Sequence, residues 1–178
     1  MLTAITSISY DHIHVLGDSL EEIAMNKLGI VKDKVPLFTT ITQEELYPLV
    51  EQVAKSHDAY LRIIKASEIK DVNFLEYTEF TFEEDTYQLS LQGIHQTKNA
   101  SLVIAMVHYM NAHKMANIST KDLKEGLKKA FWPGRLERFG RIILDGAHNI
   151  GGAESLKESI VSMYKDKKIK VLFTSMAD

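Results

Sequence analysis

Three side chains that could do chemistry on a ligand, one of them a cation, sit close together near the end of this chain. Arg135 lies in a Pro133-Gly134-Arg135 turn, and Asp145 and His148 lie in Asp145-Gly146-Ala147-His148-Asn149. A guanidinium is a planar cationic fork that matches phosphate or carboxylate oxygens. The β-branched run Ile142-Ile143-Leu144 reads as a buried strand of a parallel sheet. Carboxylate, imidazole and amide would then follow the carboxyl end of a strand, where open α/β sheets bind ligands. Gly151-Gly152 leads into a helical pattern from about Ala153. The free N–H groups and positive dipole end of that helix suit phosphate. The same residues also read as an ordinary βα turn in which Asp145 caps the helix and His148 lies on the surface.

A second candidate set lies near the start. Asp11-His12-Ile13-His14 precedes a helix opened by the capping box Ser19 and Glu22. Leu20, Ile23, Ala24, Lys27 and Leu28 recur at helical spacing, which turns Lys27 to the apolar face. A lysine there often runs its methylenes over a core and surfaces at the tip, and a His-x-His loop is often incidental. A third set, Gly93-Ile94-His95-Gln96-Thr97-Lys98-Asn99-Ala100, opens a long helix through His113. His95 and Gln96 at its start read equally as capping residues.

The elements that must hold these sets follow from periodicity. Met1–Ser9, Val35–Thr39 and Tyr60–Ile64 read as strands, with helices at 20–28 and from Thr42, boxed with Glu45, to Ser56. That alternation predicts a parallel α/β sheet. Residues 67–73 read as a polar connector, and Thr78–Phe82 with Tyr87–Leu91 as an antiparallel hairpin around Glu83-Glu84-Asp85. An amphipathic helix over 119–131 should bury Leu123, Leu127, Ala130 and Phe131, before Trp132-Pro133-Gly134 starts a new unit. Ile169–Thr174 reads as a further buried strand after a solvated lysine-rich turn.

Bulk properties narrow the classes. With 178 residues, 45% hydrophobic and 25% charged, the chain has the composition of a soluble globular protein. A net charge of -3 makes no case for a nucleic-acid surface. No apolar run is long enough to span a bilayer, and no secretory signal is visible at the start, which gives a cytoplasmic expectation. The absence of cysteine excludes disulfides and thiolate metal sites.

Pro133-Gly134-Arg135-Leu136-Glu137 followed by Asp145-Gly146-Ala147-His148-Asn149 resembles the paired signatures of folylpolyglutamate and dihydrofolate synthases, a branch of the Mur ligase family. Asp11-His12-x-x-x-Leu16-Gly17, with a lysine fifteen residues after the histidine, is similar to the same branch, as is the Gly-x-His-Gln-x-x-Asn-Ala segment. The resemblance implies part of a parallel-sheet ATPase domain with an antiparallel hairpin over 1–131, then the start of a Rossmann-like domain over 132–178. It implies an ATP-dependent ligase of folate biosynthesis and one-carbon metabolism, monomeric at full length, that adds L-glutamate to a pterin or folate carboxylate through an acyl phosphate. His12 and Lys27 would hold Mg2+, Lys27 as a carbamate, and Asn99, Arg135, Asp145 and His148 would bind ATP. Lys27, Asp145 and His148 would take part in catalysis.

Some residues depart from the pattern. Asn26 and Leu28 flank Lys27 where acidic and small residues are commoner, Ile150 stands where proline is usual, and the 135–145 segment is short. No Gly-x-x-Gly-Lys-Ser phosphate loop occurs in the sequence, so a fragment inactive in ligation on its own is expected. The rival readings are a Mur-type ligase of cell-wall precursors and a non-catalytic remnant or binding module. A metallohydrolase built on His12 and His14 lacks a further ligand at suitable spacing.

Overall fold

The computed structural model describes residues 1–10 and 17–174. His12 and His14 lie outside the described residues. Strands β1 (Thr3–Ile5), β2 (Leu37–Thr39) and β3 (Leu61–Ile63) form a parallel sheet in that order, Ala4 facing Phe38 and Phe38 facing Arg62. The expected β-α-β-α-β alternation is present, with helices α1 (Leu20–Leu28) and α2 (Tyr47–Ser56) as the crossovers. All three residues of β2 are buried, because successive side chains point to opposite, covered faces. Leu37 joins Ile5, Ile23, Ala24, Leu46 and Val50 under α1 and α2. Phe38 joins the other face, against α3 (Ile94–Ala112).

The Ser19–Glu22 capping box opens α1 as expected, the Ser19 hydroxyl accepting from the Glu22 N–H. The second expected box does not form. A short 3-10 turn, Glu44–Leu46, precedes α2 and has no side-chain cap, and α2 instead carries proline in its first turn.

A second, antiparallel sheet contains β4 (Lys70–Phe74), β5 (Thr78–Phe82) and β6 (Asp85–Leu89). The β5–β6 hairpin is present as expected, with its second strand starting at Asp85, two residues earlier than read. β4 does not, since those residues read as a connector. Lys70, Asp71 and Asn73 are exposed, so β4 has little apolar alternation of its own and exists by pairing with β5. Phe80, Phe82, Tyr87 and Leu89 carry this sheet onto α3 and onto α4 (Thr120–Lys129), which buries Leu123 and Leu127. Phe131 was expected to be buried with them but is 67% exposed, because α4 stops at Lys129 and the chain turns extended at Ala130.

Strands β7 (Glu137–Phe139) and β8 (Ile142–Leu144) form an antiparallel hairpin, followed by α5 (Ile150–Met163). This overturns the expectation of a buried parallel strand. β8 pairs with β7, and Ile142 stays 63% exposed. No strand forms over 169–174 either: Val171, Leu172 and Phe173 are all exposed, with no strand partner among the described residues. The runs have strand composition, yet composition cannot supply a neighbour. No described helix is long and apolar enough to cross a membrane.

Candidate functional site

The two signature segments are folded into one unit by crossing bonds. The Gly146 N–H donates to the Gly134 carbonyl at 2.8 Å. The Asp145 carboxylate accepts from the Leu136 N–H and the Ala147 N–H, both at 2.9 Å. Glu137 closes the turn by accepting from the Gly134 N–H at 2.8 Å. Leu136 sits at φ +47°, a left-handed conformation that costs a leucine roughly 1 kcal/mol. The bond to Asp145 and the burial of its side chain hold it there. Asp145 therefore fixes the turn that presents Arg135. It does not cap the following helix. Asn149 does, accepting from the Gly152 N–H at 2.7 Å.

Leu136 also explains Gly93, the residue before α3, which has φ +108°. A Cβ there would lie 2.9 Å from both the Leu136 Cδ1 and the His95 Cε1. Glycine lets the Arg135 turn rest on the start of α3.

The parallel sheet supplies the opposite wall. Residues 6–9 leave the carboxyl end of β1, and Thr40 to Gln43 leave that of β2. Gln43 donates to the Ile8 carbonyl at 2.8 Å and fixes the first of these loops. The half-buried Lys27 also bonds to that loop, its Nζ donating to the Ser7 carbonyl at 3.2 Å. The lysine read as inward-facing thus ends at the carboxyl end of the parallel strands.

Between the walls lies a cleft of about 840 Å³. Lys27, Asn99, Arg135, Asp145 and His148 all line it, so every described site residue expected from sequence falls in one place. Arg135 and His148 are exposed at its mouth, and the His148 Nδ1 lies 3.0 Å from the Gly146 carbonyl. Asn99 is half-buried on α3 and donates to the Gln96 side-chain oxygen at 3.2 Å. Gln96 in turn donates to the His95 Nε2 at 3.0 Å. In the neutral ring that leaves the proton on Nδ1, which is buried and has no partner among the described residues. Among the described residues no three His, Asp or Glu side chains gather into a metal cage.

Burial lowers the pKa of His95 below the ordinary 6.5, and Arg135 and Lys98 add to the effect while Asp145 and Glu158 oppose it. The unfolded chain therefore binds this proton more readily than the folded one. Stability should rise with pH between the lowered value and 6.5, and fall as pH drops through that window. In urea unfolding at pH 5 and pH 7.5, a His95→Gln variant is expected to lose less stability on acidification than the parent. An equal loss would place the sensitivity elsewhere.

Two close approaches carry no signal in the sequence. A Cβ on Gly151 would lie 2.9 Å from the Ser9 Cβ, so the start of α5 touches the β1 loop. Ser159, fully buried, accepts from the Ile94 N–H at 3.1 Å and joins α5 to the start of α3. In sequence, both are small residues in a helix.

No protein-family model matches the chain. It is 38% identical to the dihydrofolate synthase/folylpolyglutamate synthase of Bacillus subtilis over its whole length, and spans 44% of that protein. A crystal structure of folylpolyglutamate synthase from Thermotoga maritima is similar with a TM-score of 0.68 and 29% identity, over 91% of this chain and 39% of that one. An FPGS–AMPPCP–folate complex has the same fold, with a TM-score of 0.78 at 20% identity over 89% of this chain and 41% of that one. The α/β architecture with one parallel and further antiparallel sheets is the one these relatives share.

Proposed function

We propose, from the chain's likeness along its whole length to the folylpolyglutamate/dihydrofolate synthases, that it forms the nucleotide-facing part of an ATP-dependent ligase. The reaction is the joining of the L-glutamate amine to a carboxylate of dihydropteroate or folate, in the cytoplasm. The observation that supports it best is the convergence of Lys27, Asn99, Arg135, Asp145 and His148 on one cleft. One of the similar structures is, by its title, a complex with an ATP analogue and folate. Residues 1–131 then belong to the ATPase domain and 132–178 to the start of a Rossmann-like domain.

In this reading ATP transfers its γ-phosphoryl group to the pterin-side carboxylate and leaves as ADP. The glutamate amine attacks the acyl carbon, an amide forms, inorganic phosphate departs and the amine releases a proton. Catalysis of this kind is mostly positioning and charge stabilisation. Arg135 forks onto phosphate oxygens from a turn that Asp145 holds rigid. Asp145 retains lone pairs beyond its two backbone bonds, enough to accept a ribose hydroxyl. Asn99 offers an amide to the nucleotide, and His148 bounds the mouth.

Magnesium needs only one or two protein ligands beside waters and phosphate oxygens. Lys27 fits that role as a carbamate, which would replace its cation with an oxygen pair at the β1 loop, and His12 would be the second ligand. A bound magnesium ion would neutralise charge on the transferring phosphoryl group.

Calorimetric titration of the protein with ATP and Mg2+ tests the reading. The parent chain is expected to bind, and Arg135→Ala to bind roughly 10- to 100-fold more weakly, the worth of a charged hydrogen bond. Arg138→Ala, whose Nε only reaches the Gly140 carbonyl, should leave affinity unchanged. Absence of parent binding at millimolar ATP would refute the reading and favour a non-catalytic module.

A further inference from the structure

The helix that carries Asn99 has no cap of its own. Gly93 precedes α3 without a side chain, and its positive φ and the contacts of a would-be Cβ exclude a serine or aspartate there. The first N–H of the helix, on Ile94, is instead satisfied from 65 residues further along the chain, by the hydroxyl of Ser159 at 3.1 Å. That hydroxyl is correctly occupied on both sides. It donates to the Ser155 carbonyl one turn back in α5 at 2.7 Å, which aims its lone pairs at Ile94. Ser159 is 0% exposed, so water cannot stand in for it. The rest of the turn depends on this start. The Thr97 hydroxyl donates to the Ile94 carbonyl at 2.7 Å, and the Gln96 N–H donates to the Gly93 carbonyl at 3.0 Å.

We propose that Ser159 is a positioning residue, which caps α3 from the other wall of the cleft and so sets the side chains of His95, Gln96 and Asn99. Those three side chains line the cleft and are chained to one another by hydrogen bonds. α5 lines the opposing wall through Gly151, Gly152, Ser155 and Glu158. One hydroxyl thus makes the geometry of the α3 turn conditional on α5 being seated. A ligand that reads Asn99 therefore also favours the seated state, since each contact preorganises the other. The link to nucleotide affinity rests on the reading given above; the cap itself does not.

Amide hydrogen exchange on the whole chain, without ligand, separates the two. Ser159→Ala is expected to speed exchange over residues 94–99 by roughly tenfold, the usual weight of an N-cap, and to leave the β5–β6 hairpin unchanged. A second variant removes the need for the cap: proline is well tolerated at the first helical position and has no N–H. In an Ile94→Pro background, Ser159→Ala should therefore change exchange at 95–99 no further. Unchanged exchange in Ser159→Ala, acceleration spread evenly over the chain, or an equal effect in both backgrounds overturns the proposal. In ATP titrations, Ser159→Ala should weaken binding by a factor similar to its effect on exchange, with Ser159→Thr restoring it. ATP binding by the parent with no loss in Ser159→Ala overturns the coupling. No ATP binding by the parent refutes the ligase reading alone, and the exchange data still decide the cap.

Discussion

Asp145→Ala should lower the unfolding free energy by about 2–4 kcal/mol, the largest loss expected from any single site in the cleft. The reason is local. Its two carboxylate oxygens accept from Leu136 and Ala147, and both donors lose a charged partner at once. One of the two also holds Leu136 in its left-handed backbone, so that strain would be released by rearranging the turn. Asp145→Asn should cost nearly as much, because its amide nitrogen would face one of the two N–H groups. His148→Ala, three residues on and exposed, should change stability by less than about 0.5 kcal/mol. Urea unfolding of the three variants checks the order. A loss below about 0.5 kcal/mol for Asp145→Ala would mean that the crossing bonds do not form in solution.

Such a result bears on function because, in the proposed reading, stability and nucleotide binding would share the same atoms. An aspartate serving only a nucleotide would leave the unliganded fold indifferent to its removal. Asp145 is embedded in the turn that aims Arg135, so loss of anion binding in an Asp145 variant is ambiguous taken alone. Arg135→Ala resolves it, since the guanidinium is exposed and its removal should leave the turn standing.

Much of the site could be read from spacing. Lys27 follows Ile23 by one helical turn, and that alone turns it towards the sheet; the structure ends it on the Ser7 carbonyl. Asn99 lies in the second turn of the helix expected from Gly93, and the Arg135 and Asp145 motifs meet as neighbours in sequence should. The fold was legible where an element carries its own period, as in α1, α3 and the β5–β6 hairpin. It was illegible where a neighbour decides. β4 is polar on its outer face and pairs only because β5 lies beside it. Ile142 and Leu172 have the composition of buried strands, but burial needs a partner that apolar character cannot announce. The contacts of Gly151 with Ser9 and of Ser159 with Ile94 are long-range, and a glycine or serine in a helix gives no hint of them.

Gly151 supplies the second large effect. Alanine in place of a helical glycine ordinarily gains up to about 1 kcal/mol through backbone entropy. Gly126, in the middle of α4 with open space where its Cβ would stand, should show that gain. At Gly151 the new methyl would meet the Ser9 Cβ at 2.9 Å and Oγ at 3.1 Å. The Ser9 Cβ is fixed to its backbone and cannot swing aside, so α5 or the β1 loop must move. Overpacking of this kind costs roughly 1–3 kcal/mol, which exceeds the propensity gain and reverses the sign. Thermal unfolding should therefore rank Gly126→Ala above the parent and Gly151→Ala below it. Ser9→Gly should relieve the clash, giving a coupling of roughly 1–3 kcal/mol in the double-mutant cycle. Both walls of the cleft carry the contact, so Gly151→Ala should also weaken any ligand that bridges them. A Gly151→Ala variant as stable as Gly126→Ala would show that the start of α5 does not rest on the β1 loop.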